Sequence, residues 1–241
     1  MKPWETVEKE QVPEVGEVVL ARRDNEYVLR VRGQTLMSSR QHGSEAALAD
    51  AGCAHLVGTE KARVLVGGLG FGFTVRAVLD RLEPSARVVV AELLPSVVTW
   101  NRGILAPLAK APLEDSRVTV VEGDVGRLMR KQSGAFDAIL LDVDNGPSAL
   151  THPDNESLYD ITGVSVAYGA LRPKGTLVVW SAGPSPAFVK RLEDVGFTVQ
   201  VLKPAAHGTK GPRHTLFVAQ RIGKGPASVP SRQGKRPGRG G

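Results

Sequence analysis

The chain has 241 residues, 41% hydrophobic and 23% charged, which excludes wholesale disorder and collagen-like repetition. A single cysteine, Cys53, rules out an intrachain disulfide and a cysteine-based zinc site, and the five histidines show no metal-ligand spacing. The net charge of +6 invites a nucleic-acid reading, so its placement along the chain matters. No apolar run approaches the ~18 residues of a membrane helix. The amino-terminal stretch is too acidic and polar for a signal peptide, so a soluble, cytoplasmic protein without a membrane partner is expected.

In chain order, Glu17–Arg23 and Glu26–Arg32 are β-rich runs flanking the turn signal Asp24-Asn25, which predicts a hairpin. A short helix over Ser44–Leu56 follows, with Ser44 as its N-cap. From Ala62 the chain alternates strands with helices. Strands are expected at Arg63–Val66, Arg87–Ala91, Val118–Val121, Phe136–Leu141 and Thr176–Trp180, near-continuous apolar runs suited to a parallel sheet buried on both faces. Val75, Val78, Leu79 and Leu82 mark one helix face. Leu158, Ile161, Val164 and Leu171 mark another, which Pro173 and Gly175 should stop. Pro186 opens a third helix that Gly196 closes. Thr198–Leu202 and Thr215–Ala219 have no helix between them, so the last strand should run antiparallel. The whole is a Rossmann-like open α/β sheet preceded by a small hairpin.

The expected divisions are 1–58 for hairpin and short helix, 59–221 for the nucleoside-binding sheet, and 222–241 for a basic tail. That tail holds Lys224, Arg232, Lys235, Arg236 and Arg239, no acids and little that is apolar, a composition expected to stay disordered. Without its five cations the rest of the chain carries 26 against 25 acids. Nucleic acid is therefore an expected partner only through the tail. The hairpin also offers an edge for pairing across a two-fold axis, so a homodimer is an expectation.

The first strand of the series runs into Gly67-Gly68-Leu69-Gly70-Phe71-Gly72 and straight into a helix near Thr74. Glycines permit the turn and let backbone approach a ligand at the positive end of a helix. The spacing is not the dinucleotide G-x-G-x-x-G. Glu92 ends the second strand, 20 residues beyond Gly72, where Rossmann folds place a carboxylate on ribose hydroxyls. Asp124 follows the third strand and suits two roles equally, acceptor for an adenine amine or N-cap of the next helix. The fourth strand delivers Asp142-Val-Asp144-Asn145-Gly-Pro. Two carboxylates and an amide at a strand end can hold a cationic amine, and one can take its proton as nitrogen attacks an electrophile. The same residues are strong turn formers. Asn155 and Tyr159 follow where they would reach the same crevice.

The run from Val64 to Tyr159 resembles the spermidine synthase-like branch of the class I methyltransferase fold. Gly68, Gly70, Gly72 and Arg76 match that family's G-G-G-D-G-G-x-x-R loop, with Phe71 in place of its Asp. Glu92 matches the strand-two acid, Gly123-Asp124 the strand-three pair, and Phe136-Asp137 the lead into strand four. Asp142 matches the family's catalytic Asp and Gly146-Pro147 its closing pair. The loop between is two residues shorter, which makes Asp144 a neighbour and not the equivalent of the second family Asp. The family's Tyr-His pair in the amine-site stretch is missing here.

The resemblance implies aminopropyl transfer from decarboxylated S-adenosylmethionine to a small-molecule amine, without a metal. Gly68, Gly70, Gly72, Glu92, Gly123 and Asp124 would bind the donor and Asp142 would act as base, while the reading of the residues themselves adds Asp144, Asn145 and Tyr159 as the lining of the amine site. Two alternatives stand beside it: methyl transfer from S-adenosylmethionine to a small molecule, and a non-catalytic nucleoside-binding protein of the same fold.

Overall fold

In the computed structural model, residues 2–13, 15–40, 43–143, 157–207 and 210–223 are described, with backbone alone at 205–207 and 210–213. Asp144, Asn145, Gly146-Pro147, Asn155 and the basic stretch from 224 onward lie outside the described residues.

The amino-terminal hairpin forms where its pattern places it, as β2 (Gly16–Arg23) and β3 (Glu26–Val31). Asp24 takes the left-handed conformation, φ 54°, that a two-residue turn requires. Two further strands extend the hairpin. β1 (Glu5–Val12) pairs with β2 and β4 (Gln34–Ser38) with β3, giving a four-stranded antiparallel sheet. The outer edges of the hairpin are thereby occupied, and the sheet edges available for pairing belong to β1 and β4. Glu26, buried in this sheet, accepts from the Ser38 hydroxyl and is flanked by Arg23 and Arg40 at 3.2 and 3.1 Å.

Helix α1 (Gly43–Cys53) follows. Ser44 lies inside it and not at its cap, and its hydroxyl donates 2.8 Å to the Glu45 carboxylate beside it. Cys53 is buried at the end of α1, where burial pushes its thiol up to about 12 and keeps it protonated.

The remaining strands are β5 (Arg63–Gly67), β6 (Arg87–Glu92), β7 (Val118–Glu122), β8 (Phe136–Leu141), β9 (Leu171–Ser181), β10 (Phe197–Leu202), a short pair β11 (Ala205–His207) and β12 (Lys210–Arg213), and β13 (Thr215–Arg221). Seven of them form one sheet in the order β10-β13-β9-β8-β5-β6-β7. β5 through β9 are parallel neighbours, and β13 runs antiparallel to both β9 and β10, as the helix-free link predicts. Alternation of side chains sorts the core into two layers. Val64, Val66, Leu140 and Val178 face α1, α2 (Phe73–Leu79) and the amino-terminal sheet, while Leu65, Ile139, Leu141 and Val179 face the opposite side. Val18, Leu20 and Leu29 of the amino-terminal sheet pack in the first of these layers. Among the described residues, no helix is long and apolar enough to cross a membrane.

The helix expected around Val164 is α5 (Ile161–Ala170), capped by the Asp160 carboxylate, which accepts from Gly163 N at 2.7 Å. It differs from expectation at both ends of its apolar stripe. Ile161 is exposed, and Leu171 is already the first residue of β9, paired with Phe136. Pro173 and Gly175 fall where the β8–β9 register is interrupted, since proline cannot donate to the ladder. Before it come α3 (Pro95–Arg102) and α4 (Val125–Arg130), and after it α6 (Pro186–Val195) runs from the Ser185 cap to Gly196. α3 is an element that the apolar spacing does not reveal.

Candidate active site at the strand switch point

The chain leaves β5 toward β6 and β7 on one side, and β8 toward β9 on the other. Ligand crevices of open α/β sheets lie at this reversal, beyond the carboxyl ends of the strands. Gly67 and Leu141 are register partners, so the next residues, Gly68 and Asp142, stand side by side. Gly68 has φ 88°, and a Cβ there would collide with the Asp142 carbonyl oxygen. Gly70, φ 52°, faces the Met37 sulfur, 3.1 Å from where a Cβ would stand.

A cavity of about 280 Å³ opens here. Met37 and Ser38 of β4, Ser44 and Glu45 of α1, and the glycine loop from Leu69 to Phe71 border it, with Thr74, Asp142, Trp180 and His214. Thr74, buried in the first turn of α2, donates its hydroxyl to Asp142 Oδ2 at 2.7 Å. Burial raises the Asp142 carboxyl, and the Thr74 hydroxyl offsets part of that rise. Glu45 is pushed up to about 7, first by burial and then by the like charge of Asp142. Among the described residues neither lysine nor arginine lines the cavity. Two carboxylates thus face one space without a cationic partner on its described walls.

The other expected site residues take up places around this centre. Glu92 is buried, and its two oxygens accept from Leu69 N at 2.8 Å and Leu94 N at 2.9 Å, tying the glycine loop to the end of β6. Gly123 adopts φ 146° and donates its amide to the Glu92 carbonyl at 2.7 Å. Asp124 is the N-cap of α4, accepting from Arg127 N at 2.6 Å, with Arg130 at 3.7 Å on the same oxygen. Gly72 precedes α2 with φ 82°. Tyr159 is buried on the opposite face of the sheet, in edge contact with Phe188. Its hydroxyl donates to the Val143 carbonyl at 3.1 Å, beside Asp142, and it does not border the cavity. Arg76 turns to Asp80 at 2.7 Å along its own helix.

Several cavity residues escape a sequence reading, among them Glu45, Thr74, Trp180 and His214. Thr74 lies two residues past the glycine loop, where helix-start chemistry gives the only local hint. Glu45 carries no hint beyond its place in α1. Trp180 and His214 end one strand and precede another that pairs with it.

The sheet order, with its antiparallel penultimate strand, is that of the class I methyltransferase fold. The chain shares this fold with solved spermidine synthases. The enzyme from Thermotoga maritima superposes with a TM-score of 0.72 at 18% identity, over 90% of this chain and 72% of its own. A spermidine synthase solved with the transition-state analogue AdoDATO gives 0.73 at 20% identity, over 90% and 73%. Among curated proteins, polyamine aminopropyltransferase 1 of Streptomyces coelicolor is 30% identical over 123 residues, which is 50% of this chain and 22% of that protein. The chain therefore matches less than a quarter of that relative's length. No protein-family model matches it.

Proposed function

We propose that the protein transfers a carbon group, an aminopropyl group foremost, from a thioadenosine sulfonium donor to a small-molecule amine. The observation that carries this reading is the pair Asp142 and Glu45, two raised carboxylates facing a cavity whose described walls hold no lysine or arginine. Sulfonium and ammonium groups are the partners that such a site lacks. A cavity of about 280 Å³ lies at the small end of ligand sites, suited to the aliphatic part of donor and acceptor. The likeness to spermidine synthases, one of them holding a transition-state analogue, supports the same class of reaction.

In this reading Gly68, Gly70 and Gly72 let the donor approach the backbone. Glu92, held at the end of β6 by the Leu69 and Leu94 amides, takes the ribose hydroxyls. Gly123 adds no side chain in the open space beside it, and Asp124, whose contacts among the described residues fall on Oδ1, offers Oδ2 to the adenine amine. The amine nitrogen attacks the carbon next to sulfur. The carbon–nitrogen bond forms as the carbon–sulfur bond breaks, its electron pair returns to sulfur, and Asp142 takes the amine proton. The chain's contribution is alignment and proton removal. Tyr159 would support the Val143 carbonyl at the amine end, and Asp144 and Asn145 complete the proposal for that end.

Phe71 favours a second reading, methyl transfer. It is buried at the cavity wall where the resembled family has the acid that meets the donor's ammonium end. Titration calorimetry with S-adenosylmethionine and its decarboxylated form, side by side, separates the two. Tighter binding of the decarboxylated donor supports aminopropyl transfer, the reverse supports methyl transfer, and binding of neither rejects both. Asp142→Asn should lower turnover by about 10²-fold or more while donor affinity stays. Full turnover in that variant would remove Asp142 from the role of base.

A further inference from the structure

Trp180 and His214 form a chemically different part of the wall of the same cavity. β9 pairs with β8 so that Val179 stands opposite Leu141, which puts Trp180 one step beyond, next to Asp142 at the carboxyl ends of the strands. Trp180 is also the register partner of Leu216 in β13, so His214 lies at the entrance to that strand. Its backbone amide is held by the Pro204 carbonyl at 3.1 Å. The two rings lie 4.7 Å apart, tilted by 57°, and both border the cavity.

Their polar atoms are the informative feature. Trp180 Nε1 and His214 Nδ1 are buried, and neither has a hydrogen-bond partner among the described residues. A buried polar atom left unpaired costs about 1–3 kcal/mol, and here two such atoms belong to rings 4.7 Å apart that both border the cavity, which calls for a ligand group. The indole N–H only donates, so that group must accept. An ammonium has no lone pair and fails. A carboxylate accepts, but it would sit near Asp142 and Glu45 with no cation on the described walls. What remains is an uncharged oxygen.

We infer that Trp180 and His214 recognise an uncharged hydrogen-bonding oxygen, a hydroxyl or an amide carbonyl, on the amine that accepts the transferred group. This rests on the sulfonium-to-amine reading of the site and specifies its acceptor. The amine nitrogen is held by Asp142 and Glu45, and the oxygen accepts from Trp180 Nε1–H. A hydroxyl can also engage His214 Nδ1 in whichever tautomer the imidazole adopts, and burial favours the neutral ring.

The test uses the full chain saturated with methylthioadenosine and measures the affinity of four amines by calorimetry: diaminobutane, aminobutanol, aminobutyramide and aminobutyrate. Aminobutanol or aminobutyramide should bind about tenfold more tightly than diaminobutane and aminobutyrate, the size of one net hydrogen bond. Whichever of the two binds better tells hydroxyl from carbonyl. Trp180→Phe keeps an aromatic ring, though a smaller one, and removes the donor. It should bring the affinities within about twofold of each other. His214→Phe, which preserves the stack, checks the second contact without relying on the folding of one variant. Equal affinities in the unaltered chain, or a preference that survives Trp180→Phe, would overturn the inference while the transfer reading stands. Failure to bind methylthioadenosine and every amine rejects the transfer reading and this inference with it.

Discussion

The Thr74 hydroxyl donates to Asp142 Oδ2 across 2.7 Å, linking the first turn of α2 to the end of β8, 68 residues away in sequence. Burial favours the protonated carboxyl of Asp142, and Thr74 pulls in the opposite direction, stabilising the carboxylate that a base requires.

Thr74→Val keeps the shape of the side chain and removes that donor. The Asp142 carboxyl should rise further, moving the acid limb of the pH–rate profile to higher pH. Stability should fall by about 1–2 kcal/mol. Denaturant unfolding and a pH–kcat series check the two effects separately.

Glu45 should give the protein a distinctive pH dependence of stability. Its carboxyl stands at about 7 in the fold against 4.5 as the ordinary value, so the folded state binds the proton more tightly than the unfolded one. The stabilisation is fully present below about 4.5 and is lost as pH rises toward about 7. Glu45→Gln should flatten that slope in melting temperatures measured across the interval. The same substitution removes a like charge from beside Asp142, so the acid limb of activity should move to lower pH. An unchanged pH–rate profile would show that the two carboxylates do not act as a pair.

Phe71 sets a prediction about the donor. Phe71→Asp should strengthen binding of decarboxylated S-adenosylmethionine relative to the intact form by about tenfold, since the new carboxylate attracts the ammonium of both donors and repels the carboxylate that only the intact form carries. The ratio of the two dissociation constants is the measurement, with circular dichroism confirming that the altered loop still folds.

The far end of the sheet supplies a control remote from the cavity. Asp137 Oδ2 accepts from Arg63 N and from the Arg172 guanidinium, each at 2.7 Å, joining the starts of β5, β8 and β9. Asp137→Ala should cost about 1–3 kcal/mol of stability through the unpaired backbone amide. Donor affinity in the folded fraction should stay unchanged, since this contact lies at the opposite ends of the strands from Asp142.

Much of the sheet was legible because strands buried on both faces need apolar residues at every position. Val64–Val66 and Ile139–Leu141 therefore read as continuous runs, and the acids that end them stand out. β1 is different. Its sequence, ETVEKEQV, is mostly solvated, so burial imposes little pattern on it, and only pairing with β2 makes it a strand. α3 escaped for another reason: Leu94 supplies no side-chain cap, and the buried face of this short helix includes the polar Asn101, which weakens its apolar stripe.

The site divides along similar lines. The amino-acid sequence by itself determined the glycine loop, the acid at each strand end and the near balance of charge outside the carboxy-terminal stretch, because each is a local requirement of turn geometry or strand burial. It also located Asp142. The tertiary structure alone decided what surrounds that carboxylate. Glu45 comes from a helix packed on one face, Thr74 from the turn after the glycines, and Trp180 and His214 from strands that only an antiparallel pairing makes adjacent. The tertiary structure also showed that Glu92 and Asp124 hold backbone amides, and that Tyr159 lies across the sheet from the cavity. Side-chain neighbours at such separations follow from strand order and the pleat, and no local pattern encodes either.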